Sequence, residues 1–301
     1  MLLLLLCVTV WSTPQRRVKR LLGGSQLDDA RLQQRYPHSV RIVERDGQPV
    51  QFGLTGPVNM SICSGTILAP RWVLTAKHCN VRNDPSKYHI EIGSSQVMRK
   101  VGSVDRVLLL DVDLMLLLLD RDVAPEQVQF GHIAFPQLPQ MDRGFPAVGT
   151  PCRMVGYGKT EAKEVVHSPT LFAHELDQLT VRDQQSGHNR DLDGNVWHPP
   201  LDATFLVGGS GKSIYDGDSG AGVFCQFEQQ WVLAGIVSGN SEMASEQLQA
   251  DEPAICVRLS SHLDWLHKLF RWQPLLVNHD VEHIFRILEN TFSRPFIPLH
   301  C

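Results

Sequence analysis

The chain has 301 residues and a formal net charge of −4, with 43% hydrophobic and 20% charged residues. This length supports one large globular domain or two modest ones, with enough apolar residues for a sizeable core. The slightly negative charge excludes a strongly basic protein and gives no reason to expect a nucleic-acid partner.

Residues 1–12 are typical of a secretory signal peptide. Their apolar run extends from Leu2 to Val10, which is too short to span a membrane. An ordinary buried N-terminal segment is the alternative interpretation. No other segment is long and apolar enough to cross a bilayer, so the sequence predicts a secreted, extracellular protein without a membrane partner.

A basic cluster, RRVKR, follows at residues 16–20. Such dense positive charge is exposed to solvent, and therefore to cleavage, because it is too costly to bury. We expect residues 13–20 to form a propeptide that is removed by a cut after Arg20. If no later feature required a new amino terminus, the cluster would be a solvated basic patch.

Between residues 36 and 259 the sequence consists of short apolar runs separated by Gly, Pro, Asn and Asp. Their lengths and spacing predict a mostly-β barrel or sandwich. The proline-punctuated stretch 135–146 predicts a linker between two β units, and the polar stretch 159–204 predicts long surface loops. Helical spacing of apolar residues is found only near the end, at 260–272 and roughly 277–292.

The cysteines indicate disulfide bonds. Of the seven cysteines, one lies in the signal peptide and six lie outside it: Cys63, Cys79, Cys152, Cys225, Cys256 and Cys301. An even number in a secreted chain predicts disulfides, although the sequence alone does not rank the pairings. Asn59-Met60-Ser61 matches the glycosylation sequon, which carries sugar only on an extracellular surface loop.

Three short segments carry residues that can perform acyl-transfer chemistry. GDSG at 217–220 places a serine in a glycine-rich turn whose N–H groups can converge on one point, as in an oxyanion hole. A plain turn is the alternative. TAKHC at 75–79 ends an apolar strand with His78, a candidate general base. Asp113, inside the apolar run 108–120, would need a buried partner and could hold this histidine.

These segments resemble those of trypsin- and chymotrypsin-like serine proteases over roughly residues 21–272. CSGTILAPRWVLTAKHC is similar to the family's histidine block, DLMLLLL to its aspartate block and YDGDSGAGVFC to its serine block. CRMVGYG, WVLAGIVS and PAICVRLSSHLDWL fall in the expected order. The resemblance implies an all-β fold of two packed six-stranded antiparallel β-barrels, roughly 21–134 and 146–259, and a C-terminal helix at 260–272.

The resemblance also implies a role for each residue of the motifs. Ser219 would be the nucleophile, His78 the general base and Asp113 the carboxylate that orients His78. The backbone N–H groups of Gly217 and Ser219 would form the oxyanion hole. The Ser238 hydroxyl would support Asp113. Disulfide bonds are implied for two pairs of cysteines, Cys63 with Cys79 and Cys152 with Cys225.

Asp218, next to the nucleophile, implies activation by cleavage. In this family a new amino terminus inserts into the protein and pairs with that acid, and a cut after Arg20 would give this role to Leu21. Residues 17–20, Arg-Val-Lys-Arg, suit a furin-type convertase, which we expect as the activating partner.

The substrate pocket departs most from the family. Ser213 stands where trypsin-like members have an acid that binds a basic P1 side chain. Ala254 replaces a usual pocket glycine. After Ser238 the sequence continues with Gly239 and Asn240 in place of the usual Trp-Gly. We therefore expect a P1 preference that is not basic, for small or medium uncharged side chains.

Together these features predict a secreted serine endopeptidase, made as a zymogen, which uses no cofactor and acts on protein or peptide substrates. Protein protease inhibitors are further candidate partners. A catalytically silent binding protein of the same fold is the alternative, because the pocket and the amino terminus are altered.

A weaker alternative is zinc binding by His279 and His283, but HDVEH lacks the metalloprotease glutamate, so we expect no metal. The extension 273–301 exceeds the usual family end, and pairing of Cys256 with Cys301 stays open.

Overall fold

Most of the strands coincide with short runs of buried β-branched and other apolar residues. The computed structural model describes residues 24–44, 61–80, 84–94, 98–110, 112–123, 144–158, 172–183, 202–215, 217–240 and 252–266. Within these ranges the strands are β1 (Ser25–Gln26), β2 (Ser39–Glu44), β3 (Ser61–Ala69), β4 (Trp72–Thr75), β5 (Tyr88–Ile92), β6 (Arg99–Leu109), β7 (Met115–Leu119), β8 (Pro151–Gly156), β9 (His174–Arg182), β10 (Thr204–Gly208), β11 (Gly222–Phe227), β12 (Gln230–Asn240) and β13 (Ala254–Arg258).

The first barrel contains six antiparallel strands in the order β2-β3-β4-β7-β6-β5, and it closes because β5 pairs with β2. Strands covered on both faces carry unbroken apolar runs, as in β7, where all five residues of MLLLL are buried. Trp72 of β4 and Ile67 of β3 are among the largest buried side chains of this barrel.

The second barrel has the order β8-β9-β10-β13-β12-β11 and closes through the pairing of β11 with β8. The two-residue strand β1 adds to the edge of β9, so the N-terminal segment is attached to the second barrel. These pairings confirm the predicted fold class of two six-stranded antiparallel barrels.

A short C-terminal helix follows the second barrel. The chain leaves β13 through the 3-10 turn Leu259–His262 and is α-helical at residues 263–266. Leu266 is fully buried and Leu263 packs against the core, as the helical spacing predicts. Residues 267–272 of the predicted helix lie outside the described part of the chain.

The interpretation of residues 159–204 as surface loops is wrong for β9, which occupies His174–Arg182. Leu176, Leu179 and Val181 of this strand are buried. Gln178 has a positive φ of 51°, and the irregularity interrupts the alternation of polar and apolar residues by which a strand is recognised.

A helix that the apolar spacing did not predict, α1 (Asp29–Arg35), precedes the first barrel. The Asp28 side chain accepts a hydrogen bond from the Arg31 N–H at 2.8 Å and caps the helix. Leu32 is the one buried residue in its seven, so the helix has no apolar stripe to predict it.

Several predicted features lie outside the described residues. They are the signal peptide and propeptide at 1–20, Leu21, Asn59, and the tail 273–301 with His279, His283 and Cys301. In the described ranges no helix has the length and apolar character needed to cross a membrane.

Two disulfide bonds fasten the barrels. Cys63 of β3 is joined to Cys79, and Cys152 of β8 is joined to Cys225 of β11; these are the pairs that the family resemblance implies. Cys256 of β13 is buried and forms no disulfide within the described part of the chain. Burial raises the pKa of its thiol far above the usual value.

Replacing both Cys152 and Cys225 by Ala should lower the free energy of unfolding by about 4 kcal/mol, because the bond closes a loop of 73 residues and restricts the unfolded chain. Chemical denaturation followed by fluorescence measures this difference. A reductant should then destabilise the wild type more than the double variant, which has one bond fewer to lose. Equal midpoints for the wild type and the variant would contradict this expectation.

Candidate active site

His78 lies on a single 3-10 turn that follows the buried strand β4. In this turn, Lys77–Cys79, the Cys79 N–H donates to the Ala76 carbonyl at 3.1 Å. The disulfide from Cys79 to Cys63 anchors the turn to β3. The His78 side chain is 48% exposed, so the imidazole is accessible from solvent although its backbone is fixed.

Asp113 lies in the tight turn between β6 and β7, where the Leu114 N–H donates to the Val112 carbonyl at 2.6 Å. One carboxylate oxygen of Asp113 accepts the His78 backbone N–H at 3.0 Å. The other oxygen lies 2.8 Å from the ring Nδ1 of His78 and also accepts the Ser238 hydroxyl at 2.5 Å. The carboxylate is therefore held by groups from both barrels.

These contacts keep Asp113 ionised. Burial by itself would raise the pKa of this carboxyl group, but the hydrogen bonds from His78 and Ser238 and the proximity of the imidazole lower the pKa below its usual value. An ionised carboxylate only accepts hydrogen bonds, so Nδ1 of His78 carries the proton. The other ring nitrogen, Nε2, then keeps its lone pair, as a general base requires.

Ser219 lies in a turn that packs closely against the first barrel. A Cβ on Gly220, where φ is +80°, would lie 2.3 Å from the Ser64 carbonyl oxygen and 3.0 Å from the Ala76 nitrogen. This glycine therefore lets the serine turn reach the segment just before His78. The Ser219 hydroxyl makes no hydrogen bond to a described residue, and such bonds are often long in an unliganded site.

The N–H groups of Gly217 and Ser219 lie on either side of the Asp218 N–H, which already donates a hydrogen bond. Between them, the Asp218 N–H donates to the Tyr215 carbonyl at 3.0 Å. Neither flanking N–H donates to another described residue. Gly217 has a φ of +96°, a conformation that side chains disfavour. Two N–H groups on one fixed turn, neither of which donates to another described residue, can stabilise a developing oxyanion.

Asp218 is buried, with 2% of its surface exposed. Its carboxylate accepts the Gly158 N–H at 2.9 Å and the Tyr215 N–H at 3.0 Å. A Cβ on Gly156 or Gly158 would lie within 2.5 Å of this carboxylate, so both positions require glycine. Leu21, its predicted partner, lies outside the described residues.

The residues predicted to form the pocket lie on adjacent segments of the second barrel. Asn240 pairs with Ala254 across β12 and β13, and Gly239 pairs with Ile255. The register shifts at Ser238, between Val237 and Gly239, and this bulge accompanies the hydrogen bond from Ser238 to Asp113.

Ser213 is buried, with 4% of its surface exposed. The residue before it in the sequence is the basic residue Lys212. The ammonium group of Lys212 donates to the Asp177 carboxylate at 2.8 Å. No acid occurs among residues 209–215 of the described chain.

One cluster of potential metal ligands adjoins the site, formed by Cys63, His78 and Cys79. Both sulfur atoms belong to the disulfide bond and are therefore not available as thiolate ligands. The cluster is a consequence of the disulfide next to His78.

A family model described as trypsin matches residues 39–266, an interval that contains both barrels and all three candidate triad residues. The chain belongs to the trypsin family. The predicted family is thus confirmed, and members named as proteases are among the similar proteins.

This trypsin-family chain is 27% identical over 224 residues to a tryptase of Mus musculus, with 69% of this chain and 78% of the relative covered. It is 28% identical over 220 residues to snake venom serine proteinase 4a of Crotalus adamanteus, with coverages of 69% and 77%. Platelet-aggregating proteinase PA-BJ of Bothrops jararaca is 26% identical over 220 residues, with coverages of 69% and 84%.

Sequence reasoning missed Ser64, which contacts the Ser219 turn of this trypsin-family chain. Its hydroxyl donates to the Gly217 carbonyl at 2.8 Å and accepts the Tyr157 N–H at 2.9 Å. The signal was a serine directly after Cys63 in CSGTIL, but nothing in that pattern shows that its side chain crosses to the second barrel.

The stability that Asp113 contributes should depend on pH. Its pKa is lower in the folded protein than in the unfolded chain, so this contribution is present above the unfolded value, about 4, and is lost as the pH falls through the folded value. The difference in free energy of unfolding between the wild type and Asp113→Asn should therefore shrink as the pH falls below about 4. Urea denaturation at several pH values measures it.

Asp122→Asn is a suitable control, because Asp122 is 67% exposed and lies 3.9 Å from Arg71. Exposed ion pairs contribute little to stability, so this variant should unfold like the wild type throughout. A difference for Asp113→Asn that grows on acidification would contradict the expected sign.

Proposed function

We propose that the chain is a secreted serine endopeptidase that hydrolyses peptide bonds through Ser219, His78 and Asp113. The observation that supports this most is the hydrogen-bonded line from the Ser238 hydroxyl through Asp113 to Nδ1 of His78. A half-exposed histidine gains a fixed ring orientation and a fixed tautomer from a partly buried, ionised carboxylate. The Ser219 turn packs against the same histidine turn from the second barrel.

In the acylation step, the Ser219 Oγ attacks the carbonyl carbon of the scissile peptide bond, and its proton passes to Nε2 of His78. The carbonyl oxygen becomes an oxyanion that accepts hydrogen bonds from the N–H groups of Gly217 and Ser219. When the C–N bond breaks, His78 returns the proton to the departing amine. Asp113 stays ionised and stabilises the imidazolium in between.

Deacylation repeats these steps with water as the nucleophile. His78 takes a proton from the water as its oxygen attacks the acyl carbon, and the proton then returns to Ser219 Oγ as the ester bond breaks. The products are a carboxylic acid and the regenerated serine. No metal or cofactor takes part in this scheme.

Activation would follow cleavage after Arg20 by a furin-type convertase during secretion. The buried carboxylate of Asp218 lies beside the oxyanion-hole peptides and accepts backbone N–H groups from Gly158 and Tyr215. A new ammonium group at Leu21 would add a full positive charge next to this carboxylate and fix the turn. Secretion and attachment of a glycan at Asn59 belong to the same proposal.

The P1 side chain would be small or medium in size and uncharged. Ser213, Ala254 and Asn240 would shape the pocket, with Ser238 and Gly239 along its wall. A serine at 213 leaves a basic side chain without a buried counter-ion, and burying an unpaired charge is costly.

Protein processed after Arg20 should react with a fluorophosphonate probe at Ser219, whereas Ser219→Ala should not. Asp113→Asn should lower the rate of labelling and turnover about 10⁴-fold, because His78 loses its correct tautomer. We expect Asp111 to lie in the hydrated loop ahead of β7, so Asp111→Asn is the matched control and should keep wild-type activity.

An uncleaved Arg20→Ala precursor should react poorly with the probe. Gel fluorescence and peptide hydrolysis measure these rates.

Two outcomes would contradict the proposal. Folded, correctly processed protein that is not labelled would indicate a catalytically silent binding protein of the same fold. An Arg20→Ala precursor as active as the processed form would exclude activation by this cleavage.

Ser213→Asp should shift P1 preference towards Arg and Lys by about ten-fold or more relative to uncharged residues, because it supplies the missing counter-ion. A mixture-based peptide library compared between the wild type and the variant measures the shift. Ser213→Asn has a similar size without the charge and should not produce it. A wild type that prefers Arg or Lys at P1 would overturn the proposed specificity.

A further inference from the structure

Ser64 connects the first barrel to the turn that carries Ser219. It lies in β3, opposite Arg41 of β2, and none of its surface is exposed. A serine hydroxyl can both donate and accept a hydrogen bond, and most buried hydroxyl groups have at least one partner. The Ser64 hydroxyl does both, with partners from the second barrel alone.

Ser64 forms hydrogen bonds to the peptide groups on both sides of the one that carries the Ser219 N–H. Its hydroxyl donates to the Gly217 carbonyl at 2.8 Å, and its backbone N–H donates to the Ser219 carbonyl at 2.9 Å. These carbonyls belong to the peptide units 217–218 and 219–220. The unit between them, 218–219, carries the N–H of Ser219, so Ser64 holds the units on both sides of an oxyanion-hole donor.

The hydroxyl is itself fixed in direction. It accepts the Tyr157 N–H at 2.9 Å, so its own proton is directed to the Gly217 carbonyl. The Ser64 carbonyl accepts the Thr75 hydroxyl at 2.8 Å, close to the His78 turn. Cys63, its neighbour, is bonded to Cys79 on the other side of His78. The Ser64 backbone is thus tied to the histidine turn while its side chain is tied to the serine turn.

We infer that the Ser64 hydroxyl is a positioning group for the oxyanion hole. It fixes the orientation of the 217–218 peptide and thereby aligns the donors at Gly217 and Ser219 before a substrate binds. Preorganised donors stabilise the transition state without a reorganisation cost at the moment of reaction. Ser64 acts through these peptides and touches neither His78 nor the nucleophile's hydroxyl. The inference rests on the proposed function, because it assigns a task within the same site.

Ser64→Ala removes the hydroxyl and keeps the backbone bond to Ser219. The variant should lower kcat for peptide hydrolysis, and the rate of fluorophosphonate labelling, by about 10- to 100-fold, because misaligned donors weaken transition-state binding. KM should change less than two-fold, since ground-state binding of the substrate does not use the oxyanion. The pH at half-maximal labelling should stay at its wild-type value, because the contacts between His78 and Asp113 are intact.

Ser39→Ala is the matched control. Ser39 lies in β2 of the same barrel with 2% of its surface exposed, and its hydroxyl has no hydrogen-bond partner within the described residues. This variant should keep wild-type kcat and KM. Thermal unfolding of all three proteins separates a local effect from a loss of folded protein.

The outcomes distinguish the two proposals. Wild type that is not labelled overturns the proposed function and the role of Ser64 with it. If the wild type and Ser64→Ala are labelled at the same rate, the role of Ser64 is overturned and the proposed function stands. The role of Ser64 is also overturned if the loss of labelling in Ser64→Ala only follows a loss of folded protein, or if KM rises in step with the fall in kcat.

Discussion

The site depends on one ionised carboxylate placed at the junction of two barrels. Asp113 comes from the first barrel, as does His78, whereas Ser238 comes from β12 of the second. A buried carboxylate without donors would become protonated or would destabilise the fold. His78 of the same barrel offsets most of the cost of partly burying this charge, and Ser238 adds a further donor once the barrels are docked. The contacts of Asp113 therefore contribute both to the docking of the barrels and to the ring orientation of His78.

Other polar contacts extend this coupling along the interface between the barrels. Tyr157 of the second barrel donates its hydroxyl to the Gly93 carbonyl at 2.9 Å. Nearby, within the first barrel, Arg41 and Glu91 form a buried ion pair at 2.5 Å, and both affect the Tyr157 phenol electrostatically. The hydrogen bond from Tyr157 to Gly93 crosses between the barrels. Because a buried hydroxyl is costly to leave without a partner, this bond favours the relative position of the barrels in which it forms.

The sequence predicted the features that follow from apolar periodicity and from the family motifs. Runs such as MLLLL in β7 reveal strands because both of their faces are buried. The contact between His78 and Asp113 was predicted from the family motifs, since the apolar run by itself, which holds more than one acid, indicated only that a buried acid needs a partner. The helix α1 was not predicted, because it buries only Leu32 and is otherwise held by polar contacts such as the Asp28 cap and the ion pair of Arg35 with Glu175. Ser64 was not predicted for a different reason: its partners are backbone atoms distant in sequence, which leave no mark on side-chain patterns.

The Ser219 turn shows why backbone chemistry is the least visible in a sequence. Its donors at Gly217 and Ser219 need no side chain, and side-chain hydrogen bonds fix the position of the turn. The Asp218 carboxylate, inside the turn, accepts the N–H groups of Gly158 and Tyr215. The Ser64 hydroxyl donates to the turn from the first barrel. Because the Asp218 carboxylate is buried, any cation that approaches it lowers the energy of this one arrangement of the turn relative to others. Under the proposed activation, a new ammonium group at Leu21 would act on the oxyanion hole in this way without touching the triad.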